Sequence, residues 1–121
     1  MRRILLALLL SSLFSVSLAS NWGFLKDAPI VSFNSKDTTL MEKTIFKALD
    51  TIKDGDKLAW KNDKTGNSGL ANPINSYKVN GKSCRTIRII NRSKKNIAES
   101  QHNFCQAEDK SWKLYIKTKS K

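Results

Sequence analysis

Few residues in this chain could do chemistry. His102 is the single histidine, and Cys84 and Cys105 are the two cysteines. A general base needs a partner and a cleft, and no serine or further cysteine stands in a recognisable nucleophile context. No catalytic residue is therefore expected, and the chain does not read as an enzyme. One histidine, two cysteines that suit a bridge and scattered carboxylates make no metal-ligand spacing, so no metal or cofactor is expected either. The loop Thr65-Gly66-Asn67-Ser68-Gly69 has the glycines of a phosphate cradle. It lacks the following helix and the Lys-Ser/Thr pair of a nucleotide site, and reads as a tight turn that could present itself to a partner. Basic residues remain: Arg88, Lys113, Lys117 and Lys119, interleaved with Tyr77 and Tyr115, are candidate contacts for phosphates or sulfates. Asn91-Arg92-Ser93 matches the N-glycosylation sequon.

The element that must position most of these residues is a hairpin around the cysteines. Positions 82–91 are rich in β-formers, positions 97–106 alternate, and Lys94-Lys95 sit in turn material between them. With the turn centred there, Cys84 faces Cys105 across the ladder, close enough to bridge, and Ile87 faces His102.

Upstream, a helix is expected from Asn34 or Ser35, with Ser35 as N-cap and Asp37 in the first turn. Leu40, Met41, Ile45, Ala48, Leu49 and Ile52 recur at helical spacing, and Gly55 suits a left-handed cap. Residues 57–62 read as a strand with Leu58 and Trp60 on one face. Residues 70–79 read as a second strand that Pro73 makes an edge or bulged. Asn80-Gly81 is a strong two-residue turn, and its register pairs Ile74 with Ile87. A last strand spans 111–117. A two-residue turn before it would put Trp112, Leu114 and Ile116 on the face of Arg88 and Gln101, whereas a three-residue turn at 108–110 puts them beside Phe104 and Ile87. Because a one-residue slip moves a whole strand's apolar set, the longer turn is expected. The inner face is then Ile74, Ile87, Ile89, Phe104, Trp112, Leu114 and Ile116, and the disulfide braces the exposed outer face. The fold class is α+β: one N-terminal amphipathic helix packed on a five-stranded antiparallel meander sheet, with one disulfide.

Arg2-Arg3, an apolar run and the small residues Ser17-Leu18-Ala19 read as a secretory signal peptide over 1–19. The paired arginines abut a very hydrophobic core, which favours the general export route over the twin-arginine one. No transmembrane span is expected after cleavage, and the remaining roughly 100 residues suffice for one small domain. An irregular apolar arm over 20–34, holding Trp22, Phe24, Leu25, Ile30, Val31 and Phe33, is expected to cover an edge or end of the core. The domain follows over 35–117 and a basic tail over 118–121. The 22 Lys and Arg against 10 Asp and Glu give a net charge of +12, of which Arg2 and Arg3 leave with the signal. So basic a domain adheres to polyanions unless its charges are paired.

Trp60, T-G-N-S-G at 65–69 with Pro73 following, G-K-S-C-R at 81–85, Cys105 and D-K-S-W-K at 109–113 together resemble the globular C-terminal domain of bacterial surface antigens of the rickettsial seventeen-kilodalton type. The resemblance covers roughly residues 37–116. It implies an exported envelope protein, and carries no settled biochemical activity. The chain departs from that pattern in having no lipidated cysteine after its signal, no glycine-zipper segment before the domain, and Gln106 where relatives carry an arginine. Those departures point to a soluble periplasmic or secreted protein over an outer-membrane-anchored one.

The expected function is a non-enzymatic binding or structural module engaging an anionic envelope polymer or a protein partner. Nucleic acid is not expected as its partner in vivo. The alternative is a small secreted inhibitor or effector that acts on a host or competitor protein through the loop at 63–69.

Overall fold

A computed structural model describes residues 28–116. The signal segment, the first part of the arm, the basic tail, Lys117 and Lys119 lie outside the described residues. The chain orders as α1 (Ala28–Val31), α2 (Ser35–Thr51), β1 (Leu58–Lys61), β2 (Ser68–Val79), β3 (Lys82–Arg92), β4 (Ile97–Gln106) and β5 (Trp112–Leu114). The strands form one antiparallel meander in chain order, and α2 packs on its inner face against β1, β2 and β3. The α+β expectation holds. The end of the arm is a helical turn rather than irregular chain, and Ile30 and Phe33 pack on the core.

The helix begins at Ser35, and its cap lies one residue before the expected one. Asn34, not Ser35, is the N-cap: its side chain accepts from the Asp37 N–H while Asp37 accepts from the Asn34 N–H, a reciprocal capping box. Met41, Ile45, Ala48 and Leu49 are buried as the helical spacing requires, flanked by the partly buried Leu40, Phe46 and Ile52. Phe46, outside the predicted stripe, meets Phe104 edge-on with centroids 6.4 Å apart. Gly55 does take a left-handed φ of 95°, yet α2 ends at Thr51 with extended Ile52 as its C-cap. Gly55 instead shapes the turn into β1, where its N–H donates to the Pro73 carbonyl at 2.7 Å.

The central hairpin keeps the expected register from Cys84↔Cys105 through Arg92↔Ile97. The three-residue turn before β5 also forms. Phe104 pairs with Leu114 and Gln106 with Trp112, and Lys110 adopts the left-handed φ of 69° that closes such a turn. Asn80 and Gly81 have φ of 50° and 79°, the conformation of a type I′ hairpin.

Two apolar positions differ from expectation. The register set by Asn80-Gly81 runs from Val79↔Lys82 to Asn75↔Thr86, then shifts at a bulge, so that Pro73 and not Ile74 faces Ile87. Proline has no ladder donor, and the bulge beside it turns Ile74 outward, 37% exposed. Ile116 is 74% exposed, because regular pairing ends at Leu114 and the Tyr115 N–H to Asn103 carbonyl bond is the last ladder contact.

Cys84 and Cys105 are bonded. They lie on the outer face but are buried rather than exposed, at 1% and 9%, in a cross-strand row with Tyr77 on one side and Lys113 on the other. A bridge of sequence separation 21 is expected to contribute about 3 kcal/mol by constraining the unfolded chain. Urea unfolding of the oxidised protein against a Cys84→Ala/Cys105→Ala double variant measures this, and equal midpoints would contradict it.

Candidate functional site

The residues that could do chemistry fall into two groups: polar side chains turned inward to hold α2, and cations left outside.

The first group is centred on Asp37, which is fully buried. Its Oδ1 accepts from Asn62 Nδ2 and Thr65 Oγ1, each at 2.8 Å, and its Oδ2 from Asn67 Nδ2 at 2.8 Å and the Asn34 N–H at 3.0 Å. The β1–β2 turn is thereby clasped to the first turn of the helix. Burial alone pushes the Asp37 carboxyl up, but the bonds from Asn67, the Asn34 backbone, Thr65 and Asn62 together outweigh it and hold it below 3.8. Of the candidate partner loop, Thr65 and Asn67 are committed to this clasp. Gly66 makes the turn with φ 76°. Gly69 is required by Trp60: a Cβ there would collide with the indole and lie 2.7 Å from the Ile90 carbonyl oxygen. Ser68 pairs with Lys61 and Arg92 in the sheet. A loop so engaged has few side chains left to present.

At the other end of α2, Arg85 does the equivalent work. Its guanidinium donates to the carbonyls of Ala48, Leu49 and Ile52 at 3.1, 2.8 and 2.7 Å and to Asp54 Oδ1 at 2.8 Å, while Nε reaches Ser76 Oγ at 3.1 Å. The Leu49 and Ile52 carbonyls, past the reach of the helix's own donors, are satisfied by one fork of positive charge that also shares the Ala48 carbonyl with the Ile52 N–H. The hydrogen bond from Arg85 is the main cause that holds the Asp54 carboxyl low. Trp112 adds a third tie, its Nε1–H donating to Asp50 Oδ1 at 2.7 Å.

The motif residues Trp60, Thr65–Gly69, Arg85 and Trp112 therefore hold the helix and sheet together. The sequence shows them as a pattern, but not what they bind. Asp37 was visible as a first-turn acid, and three potential partners in one nearby polar turn were the signal for a buried anchor.

The outer face holds the remaining candidates. Arg88 donates to Glu99 Oε1 and Asn72 Oδ1, each at 3.1 Å, so its charge is shared with a carboxylate. Lys113 is exposed and stands two strands away on β5, opposite Cys105. Tyr77 and Tyr115 are half-buried. The structure does not gather Arg88 and Lys113 into one cluster. Besides Arg88–Glu99, the ion pairs among the described residues are Arg85–Asp54 and the exposed Lys61–Asp63.

His102 is half-buried, with Nε2 2.9 Å from Ser100 Oγ. Asn91 of the sequon is 1% exposed, closed to glycan attachment in the folded chain. Among the described residues no three His, Cys, Asp or Glu side chains converge, and no helix is long and apolar enough to cross a membrane.

Residues 47–113 match a family described as 17 kDa outer membrane surface antigen. No curated protein and no solved structure matches the chain.

Proposed function

Because the chain belongs to the 17 kDa outer membrane surface antigen family, we propose that it is an exported envelope protein whose domain binds an anionic envelope polymer without catalysing a reaction on it. Family membership supports the envelope location. The leader-like residues 1–19, with no lipidated cysteine after them, support export to the periplasm or beyond.

One observation carries the binding reading. The protein has 22 Lys and Arg for 10 Asp and Glu, and the structure turns one of those acids inward, Asp37, to uncharged amides and a hydroxyl, so that it offsets no surface cation. The uncompensated positive charge is therefore carried at the surface, where it attracts polyanions over about 8 Å at physiological salt. The oxidised protein is expected to be retained on immobilised heparin at low salt and released as salt rises. Passage through the column at low salt would overturn the reading.

A further inference from the structure

The meander sorts its charges by end. The β1–β2 and β3–β4 turns stand at one end of the sheet; the β2–β3 and β4–β5 turns and the connection from α2 into β1 stand at the other. The second end is mixed, with Asp54, Asp56, Glu108 and Asp109 among its lysines.

The first end is different. Lys61, Ser68 and Arg92 lie in one cross-strand row, which sets the two cations two strands or about 10 Å apart. The Lys94 side chain lies over Gly66, its Cε 3.4 Å from where a Cβ would stand, so the two turns touch. Lys36, at the start of α2, joins Lys61 and Lys64 around a groove of about 570 Å³, with Leu40 and Asn34 also in its wall. Lys36, Lys61, Lys64, Arg92, Lys94 and Lys95 are all exposed. The acid among them is Asp63, 89% exposed and 3.5 Å from Lys61.

We infer that this end, built by the β1–β2 and β3–β4 turns and the start of α2, is a docking surface for the phosphate groups of an envelope glycan chain. The inference deepens the polyanion reading and rests on it. Charge complementarity selects an anion. The spread of cations over three elements selects a chain carrying several charges over a single small ion. Five lysines and one arginine, without the paired guanidinium forks that read planar carboxylates, suit phosphates met as point charges. The groove beside them, walled by Leu40, the Asn34 and Asn62 amides and Asp63 as well as the lysines, offers a sugar ring one apolar contact and several hydrogen-bonding groups.

The test uses the full oxidised protein and a phosphorylated core oligosaccharide freed of its acyl chains, with binding followed by fluorescence anisotropy at several salt concentrations. Lys61→Glu/Lys64→Glu/Lys94→Glu is expected to weaken binding at least about tenfold and to flatten its salt dependence. Lys53→Glu/Lys57→Glu/Lys82→Glu, with the same change in net charge at the opposite end, is expected to weaken it far less. The milder Lys64→Gln/Lys94→Gln should show the same ordering if the triple reversal perturbs folding. Equal losses in the two triple variants would overturn the inference in favour of net charge alone. Wild-type protein that binds heparin but not the phosphorylated oligosaccharide, or binds only vesicles of anionic lipid, would overturn it while leaving the polyanion reading standing. Wild-type protein that binds no polyanion would remove both.

Discussion

Replacing Asp37 with alanine lowers the free energy of unfolding by about 3 kcal/mol or more, since it strands several buried donors at once. The side chain is fully buried and takes bonds from Asn62, Thr65, Asn67 and the Asn34 backbone. Without it the helix loses half of its capping box and the β1–β2 turn loses its attachment. Equilibrium urea unfolding measures the loss. Asp37→Asn, which keeps one acceptor oxygen but brings its amide nitrogen against the two donors that met the other, should fall between wild type and alanine. The acid dependence has a defined sign. The folded carboxyl titrates below its ordinary value of 3.8, so the unfolded chain takes up its proton first as pH falls. The contribution of Asp37 is complete above that value and drains away below it. A stability advantage of wild type over Asp37→Asn that grew on going from pH 4 to pH 2 would have the wrong sign.

The second large effect belongs to Arg85. Its side chain is 11% exposed, and Arg85→Ala leaves the Leu49 and Ile52 carbonyls without the guanidinium, while Ala48 keeps only the Ile52 N–H and Asp54 only the Ser76 hydroxyl. A loss of about 2–3 kcal/mol is expected. Arg85→Lys keeps the charge but cannot fork to several acceptors, and should recover only part of the loss. Hydrogen exchange distinguishes this from general destabilisation. Amides in the last turn of α2 should lose protection beyond the global change, whereas those of the β3–β4 hairpin should follow it. Uniform loss would contradict the capping role.

The fold was legible where a local rule met a global constraint. Asn80-Gly81 set one turn, and the cysteine pair set the next register. The requirement that Trp112 and Leu114 share a face with Phe104 chose the three-residue turn over the two-residue one. Legibility ended where backbone chemistry overrode alternation. Pro73 inserts a bulge that the period-two pattern cannot represent, so Ile74 left the core. Ile116 kept the right parity but lost its partner strand. The candidate site was harder to read, because a sequence shows which side chains are polar and not which way they point. Thr65 and Asn67 looked like an exposed loop and are anchors for a buried carboxylate. Arg88 looked like a free cation and is joined to Glu99. The cations of the two turns lie some thirty residues apart in sequence, between Lys61 and Lys94, and meet only through the meander.

The central claim is that the motif residues, the β1–β2 loop among them, hold α2 to the sheet, which leaves the proposed binding to the cations outside them. A double-mutant cycle between Asp37→Ala and Asn67→Ala, read by urea unfolding, tests it most directly. The side chains meet at 2.8 Å inside the protein, and the cycle should return a coupling of about 1–3 kcal/mol. Strictly additive losses, or an Asn67→Ala variant as stable as wild type, would mean that the loop is displayed to solvent instead of clasped, and would contradict the account.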